Sequence, residues 1–403
     1  MNIWSISLQN IKTKPLYTFL SVLILSLSIA LLLGIQQLQW SFKNQITNNL
    51  GEIDLVVGAK GSPLQLVLAS VLHLDNPTGN ISHSEALKIG KNPLVKYSVP
   101  ISYGDNYKGY RIIGTTHAYT SLYKAEIEKG NQVENAMEVI LGNDVALKLN
   151  LEIGDSLKSS HGLVQNSFEE HHNLLTVVGI LKPTQKVIDR LIVTSLESVW
   201  EMHEHEDEEN HQENHNNIDH HEKEITSLLI NFKSPRALLT FPRRINKQTK
   251  MQAALPKYEL HKLYEYIGVG FKTISLMAYL ILVISGIIIF ISLYKMVKER
   301  SFDLALFRTY GASNFQLIKM VFYEGLIIVF SSFFLGILLL KVGINTILFF
   351  MENNQHQSIL QEIPSKNLLQ IAILTIIVVV ISVSLAIDPI IKMNISTILS
   401  NEK

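Results

Sequence analysis

The sequence contains no cysteine, which excludes disulfides, thiol nucleophiles and cysteine-ligated zinc. It is poor in charge: Asp, Glu, Lys and Arg make up 17% of the residues, against 47% hydrophobic ones. That balance is too apolar for an ordinary soluble chain and too hydrophobic for a disordered one. Net charge is missing as well, with 35 basic and 35 acidic residues. Without an overall basic field, nucleic acid is not expected as a partner. Catalytic signatures are also lacking, with no Walker A loop, no H-E-x-x-H and no G-x-S-x-G. Gly58-Ala59-Lys60-Gly61 is glycine-rich but does not end in the Lys-Ser/Thr of a phosphate loop. Ser62 and Pro63 instead read as the N-cap and first residue of a helix. The chain is therefore not expected to hydrolyse ATP alone, and an enzyme is not the first reading.

The zero net charge hides an uneven distribution. Residues 201–224 hold ten acidic residues, one Lys and six His; outside them the chain has 34 basic and 25 acidic residues. His203, His205, His211, His215, His220 and His221 stand among these carboxylates, a donor set suited to zinc or another divalent metal. A tight site needs three or four ligands fixed in one geometry, and the insert has almost no apolar residue to fold around. Two expectations stand side by side: a solvated loop without a dedicated role, or a weak, multivalent metal-concentrating loop. No other cofactor is expected.

What the chain does have is long apolar runs. A helix rising ~1.5 Å per residue needs roughly 20 apolar residues to cross the hydrocarbon of a bilayer. Segments 17–35, 273–294, 320–340 and 368–387 meet this requirement. The first lies between Lys14 and Lys43 with no intervening charge and lacks a small-x-small cleavage site, so it reads as an uncleaved anchor. Only Glu324 places an acid well inside a run. Such a charge costs about 2.5–3.5 kcal/mol at mid-bilayer and less near the interface. A salt bridge to a basic residue of the preceding loop is expected. No run carries the several charges expected of an ion or proton pathway. Lys12 and Lys14, the basic loop 294–319, and Lys392 place both termini and that loop in the cytoplasm by the positive-inside rule.

About 235 residues separate the first two runs. Leu38, Phe42, Ile46 and Leu50, and later Leu260, Leu263, Ile267 and Phe271, form apolar stripes of helical period. They predict helices that continue out of the membrane as a stalk. Between them, Val- and Ile-rich segments at 138–141, 174–181, 191–194 and 225–232 read as strands, and 144–149 as a helix. The expected fold class is an α-helical membrane protein with four transmembrane helices and a large extracytoplasmic α+β domain inserted between helices 1 and 2. The expected divisions are 1–36 (N-terminus and helix 1), 37–270 (outer domain with stalk helices and the acidic insert) and 271–403 (helices 2–4).

The cytoplasmic segment reads Glu299-Arg300-Ser-Phe-Asp303-Leu-Ala-Leu306-Phe307-Arg308-Thr-Tyr310-Gly311-Ala312-Ser313 and runs on to Glu324-Gly325. It resembles the signature of the FtsX-like permease domain of MacB-type ABC transporters, with Asp303-Leu304-Ala305 where many members have Glu-Ile-Gly. The outer region resembles the family's periplasmic core domain, from Val139-Ile140-Leu141-Gly142 through Gly154-Asp155 to Val177-Val178-Gly179. The resemblance implies a permease of the bacterial inner membrane that binds a cytoplasmic ABC ATPase dimer and a second copy of itself or a homologous permease. A periplasmic adaptor or outer-membrane partner is also implied. Segment 295–315 would hold a coupling helix that docks on the ATPase, with Leu304, Leu306, Phe307 and Tyr310 as apolar contacts. Glu299, Arg300, Asp303, Arg308, Gly311, Ala312 and Ser313 complete the coupling set. ATP-driven movement would pass through the spans and stalk to the outer domain, for export or lipoprotein release. A regulator of a cell-wall hydrolase and a membrane-anchored metal sensor remain as alternatives.

Overall fold

The computed structural model describes residues 3–13, 15–160, 170–202, 223–351 and 365–392. The chain divides into two compact units, one formed by Met1–Lys43 with Tyr266–Lys403 and the other by Asn44–Glu265.

The first unit is helical. The expected spans fall on helices long and apolar enough to cross a membrane, the fourth overrunning its helix by one residue: Pro15–Asn49, Pro256–Glu299, Asn314–Met351 and Ser365–Ala386. They share one apolar core, to which Leu25 and Ile29, Leu282 and Ile289, Val321 and Ile328, and Val379 and Val383 contribute from successive spans. Side chains such as Leu27, Ile287, Phe334 and Ile381 point outward and are exposed, as a hydrocarbon solvent requires. Small residues allow close approach. A Cβ on Gly286 would stand 2.6 Å from Val378, and one on Gly325 2.4 Å from Val383. Ser382 Oγ donates to the Gly286 carbonyl at 2.8 Å. The second and third spans thus meet the fourth through small-residue contacts, which is how helices associate where lipid offers no hydrophobic contrast. A short helix, Ile3–Thr13, precedes the first span and was not expected from the sequence. Pro15 separates the two, since proline fits the first turn of a helix but not its interior.

The second unit is α+β. Among the described residues its main sheet runs, strand beside strand, Met251–Ala254, Leu55–Ala59, Ser227–Phe232, Val95–Tyr107, Tyr110–Thr115, Ile192–Ser195, Glu138–Leu141, Glu170–Leu181 and Ile127–Gly130. Ser156–Ser160 pairs with both Val95–Tyr107 and Glu170–Leu181. Tyr110–Thr115 runs parallel to Ile192–Ser195, and Glu138–Leu141 parallel to Glu170–Leu181; the other pairs are antiparallel. Alternation along the strands separates two buried faces. Val56, Val99, Ile113 and Leu229 enter one core, whereas Leu55, Val57, Leu228 and Ile230 enter another against helix Ala237–Gln248. The expected Ser62 cap is present, accepting from the Gln65 N–H at 3.4 Å, with Pro63 at the first helical position. Of the strand expected over 225–232, Glu224–Ile225 pairs separately with Ile81–Ser82, and Ser227–Phe232 enters the main sheet.

The long helices flanking this unit are integral to it. Leu50 and Leu260 are buried in the same core, with Ile46 and Leu263 packed against it. Asn49 Oδ1 accepts the Val187 N–H at 2.7 Å, so the last turn of Pro15–Asn49 is fastened to the short 3-10 helix Val187–Arg190 that precedes strand Ile192–Ser195. Within the helical unit, Phe42 and Phe271 of the same two helices pack with ring centroids 6.3 Å apart.

Candidate functional site

The Glu299–Ser313 segment folds as a stop, a short helix and a restart. The second span's helix ends at Glu299, and a separate helix covers Ser301–Thr309, inside the 295–315 segment named from the sequence. Its end is a Schellman motif. The Ala312 N–H returns to the Phe307 carbonyl and the Gly311 N–H to the Arg308 carbonyl, both at 3.0 Å, with Gly311 at φ +94°. A side chain at Gly311 would be strained at this φ, which explains the glycine without invoking a partner. The third span starts at once with a capping box. Ser313 Oγ accepts the Gln316 N–H at 3.3 Å, and Gln316 Oε1 accepts the Ser313 N–H at 2.9 Å. Gly311, Ala312 and Ser313 therefore fix the direction of the connector helix relative to the third span.

The connector has two faces. Leu304 and Ala305 are buried, and Leu304 belongs to the core shared by the spans. Phe307 packs partly against that core. Leu304 was expected on the contact face; the 3.6-residue period turns it inward when Leu306 and Tyr310 turn out. Those two are 38% and 82% exposed, and Asp303 is exposed beside them. Ile6, Phe307, Tyr310, Ala312, Leu317 and Met320 line a concave apolar pocket between the connector, the N-terminal helix and the start of the third span. Lys295, one turn before Glu299 and 4.0 Å from it, also donates to the Tyr17 hydroxyl at 2.6 Å.

Arg300 and Glu324 turn inward rather than outward. Glu324 is 2% exposed, and the Arg300 guanidinium, only 14% exposed, lies 3.6 Å from its carboxylate. Arg300 thus supplies the basic partner expected from the preceding loop. Asn10 Nδ2 donates to Glu324 Oε1 at 2.8 Å, while Arg300 donates to the Asn10 carbonyl at 2.9 Å. Ser7 Oγ donates to the Met320 carbonyl at 3.1 Å, and Trp4 meets Tyr323 edge to face. Of the coupling set named from sequence, the structure groups Asp303, Leu306, Gly311 and Ser313 on exposed positions, leaves Phe307, Arg308 and Ala312 half-buried, and takes Arg300 into the interior. Sequence reasoning missed Ser7 and Asn10. Their one local signal was the helical spacing of Trp4, Leu8 and Ile11 ahead of Pro15.

The outer unit carries a second buried polar group. His73 accepts or donates at both ring nitrogens, 2.7 Å from the Tyr103 hydroxyl and 2.9 Å from that of Tyr119. Burial, with Arg111 and Arg190 nearby, lowers its pKa to about 3. Tyr103 also donates to the Ala69 carbonyl, and burial raises both tyrosines above the usual phenol range. The six histidines of the acidic insert lie outside the described residues. Among the described residues, no group of three or more His, Asp or Glu could hold a metal ion.

Residues 275–395 match the C-terminal FtsX-like permease domain, and residues 18–241 the MacB-like periplasmic core domain. The periplasmic region of MacB from Actinobacillus actinomycetemcomitans is similar at 10% identity over 54% of this chain and 97% of that one, with a TM-score of 0.34. The extracellular domain of the noncanonic ABC-type transporter YknZ from Gram-positive bacteria is similar at 12% identity over 50% of this chain and 98% of that one, with a TM-score of 0.30. A search of curated proteins finds no match. The two domain matches together span both compact units, and the chain belongs to the family of FtsX-like ABC permeases with a MacB-like periplasmic core domain.

Proposed function

We propose that this chain is the membrane subunit of a MacB-type transporter and transmits ATP-driven movement from a separate cytoplasmic ATPase to its outer domain. The observation that carries the proposal is the two-faced connector. One face, through Leu304 and Ala305, is locked into the span core, and the other offers Asp303, Leu306 and Tyr310 to a partner. Tyr310, 82% exposed, is of a type enriched at protein interfaces, which makes this face a candidate binding patch. In this reading the positively flanked termini and the connector are cytoplasmic, in a bacterial inner membrane, and unit Asn44–Glu265 is periplasmic. The subunit works as a dimer with itself or a homologous permease and itself performs no catalysis. Long helices entering the outer core at Ile46, Leu50, Leu260 and Leu263 supply the mechanical path. The cargo is a periplasmic substrate or a lipoprotein, received with an adaptor or outer-membrane partner.

The test is co-purification from membranes with a co-expressed MacB-type ATPase, comparing wild type with Leu306→Asp and Arg308→Glu. Wild type is expected to hold the ATPase and stimulate its turnover. Leu306→Asp should weaken association about tenfold or more, since a charge replaces an apolar contact. Equal binding by wild type and variants would refute the connector assignment. The size of the outer unit, Asn44–Glu265, favours this reading over a hydrolase regulator. The metal-concentrating reading rests on the composition of the insert. Zinc titration of the same purified complex with and without residues 203–222 tests it, and identical zinc binding would end it.

A further inference from the structure

We propose that the N-terminal helix Ile3–Thr13 is a working part of the coupling element, with Asn10 and Glu324 as positioning residues. The proposal rests on the coupling reading above. Residues 3–13 lie outside both domain matches, which begin at residues 18 and 275. Yet this helix makes some of the most specific polar contacts in the membrane unit. Three segments distant in sequence meet at one carboxylate: Asn10 Nδ2 at 2.8 Å and Arg300 at 3.6 Å from Glu324. Arg300 is also held from its other side by the Asn10 carbonyl at 2.9 Å, closing a three-membered clamp. Ser7 on the Met320 carbonyl and Trp4 on Tyr323 extend the attachment along one face of the third span.

Arg300 immediately precedes the connector, and Glu324 lies in the third span. A push on the connector that moved it alone would strip a buried carboxylate, 2% exposed, of its cation. Breaking such a pair is strongly disfavoured in a dry site, so the lower-energy response is joint movement. The connector, the N-terminal helix and the first turns of the third span consequently move as one body. The N-terminal helix serves as a second strut that prevents the connector from tilting about the Gly311 turn.

The full chain, reconstituted in lipid discs with its co-expressed ABC ATPase, provides the test. Glu324→Gln and Asn10→Leu should keep ATPase association within about twofold of wild type but lower stimulated turnover about fivefold. Backbone hydrogen exchange in residues 3–13 should rise about tenfold in both. Because the chain has no cysteine, an Asn10→Cys/Glu324→Cys variant can be joined by a short thiol cross-linker without background. Turnover should be low before cross-linking and recover to about half of wild type after it. That rescue separates joint movement from a merely structural loss. Faster exchange with unchanged turnover, or cross-linking that abolishes turnover, would overturn the proposal. If wild type itself fails to bind an ABC ATPase, the coupling reading fails first and this proposal with it. Failure of the variants alone concerns only the clamp.

Discussion

His73 shows how a single buried residue sets a condition on stability. Its ring is satisfied on both sides by Tyr103 and Tyr119, and its folded pKa of about 3 lies below the ordinary value of 6.5. The folded state keeps the imidazole neutral, while an unfolded chain would take up a proton below pH 6.5. Its contribution is therefore complete above about pH 6.5 and declines as the pH falls toward 3. One such group gives a slope of up to about 1.4 kcal/mol per pH unit. Melting of the full-length protein between pH 7.5 and about 5 should show a fall in Tm that is reduced in His73→Gln. That variant should also be less stable at neutral pH, by about 1–3 kcal/mol, because Tyr103 and Tyr119 each lose a hydrogen bond to the imidazole. Parallel pH profiles for the two proteins would contradict the assignment.

At the scale of elements, the connector is defined by its ends. Gly311 at φ +94° closes the Schellman turn and Ser313 opens the third span two residues later. Gly311→Val should destabilise this turn by about 1–2 kcal/mol, since a β-branched residue disfavours the left-handed region. Asn should be tolerated better. Hydrogen exchange across 301–320 in the two variants would reveal the ranking, and equal protection would refute it. The same segment shows what a sequence can and cannot disclose. Gly311 and Ser313 carry local signals, because caps and turns depend on neighbouring residues. The spans were legible for a similar reason: an uninterrupted apolar run such as 368–387 has few alternative fates. The Ser62-Pro63 helix start was legible in the same way. The inward turn of Arg300 was not, because it depends on Asn10, 290 residues away. Nor was hairpin Val95–Tyr107/Tyr110–Thr115, whose turn residues Lys108 and Gly109 both have positive φ without the usual Asn-Gly pair. Helix Ile3–Thr13 was missed because its docking depends on Met320 and Tyr323 of the third span, more than 300 residues away.

At the scale of the whole molecule, the membrane helices under the proposed function would act as a transmission rather than a conduit. Ser382 and Glu324 fit this reading. Ser382 serves the Gly286 carbonyl, and Glu324 is consumed by Asn10 and Arg300, so these side chains are committed to helix–helix contacts. Helices Pro15–Asn49 and Pro256–Glu299 each contribute residues to the membrane core and to the outer core. Movement of the connector would then appear in the outer domain without a substrate entering the bilayer. The most direct test places a spin label at Leu147→Cys, an exposed site in the outer unit that is unique as a thiol in a cysteine-free chain. Label-to-label distances between the two copies of the assembled complex are then measured with ATP trapped and without nucleotide. Two distinct distance distributions that interconvert on ATP binding are expected, with a loss of that change in Leu306→Asp. One unchanged distribution, while the complex hydrolyses ATP at its normal rate, would contradict the transmission reading.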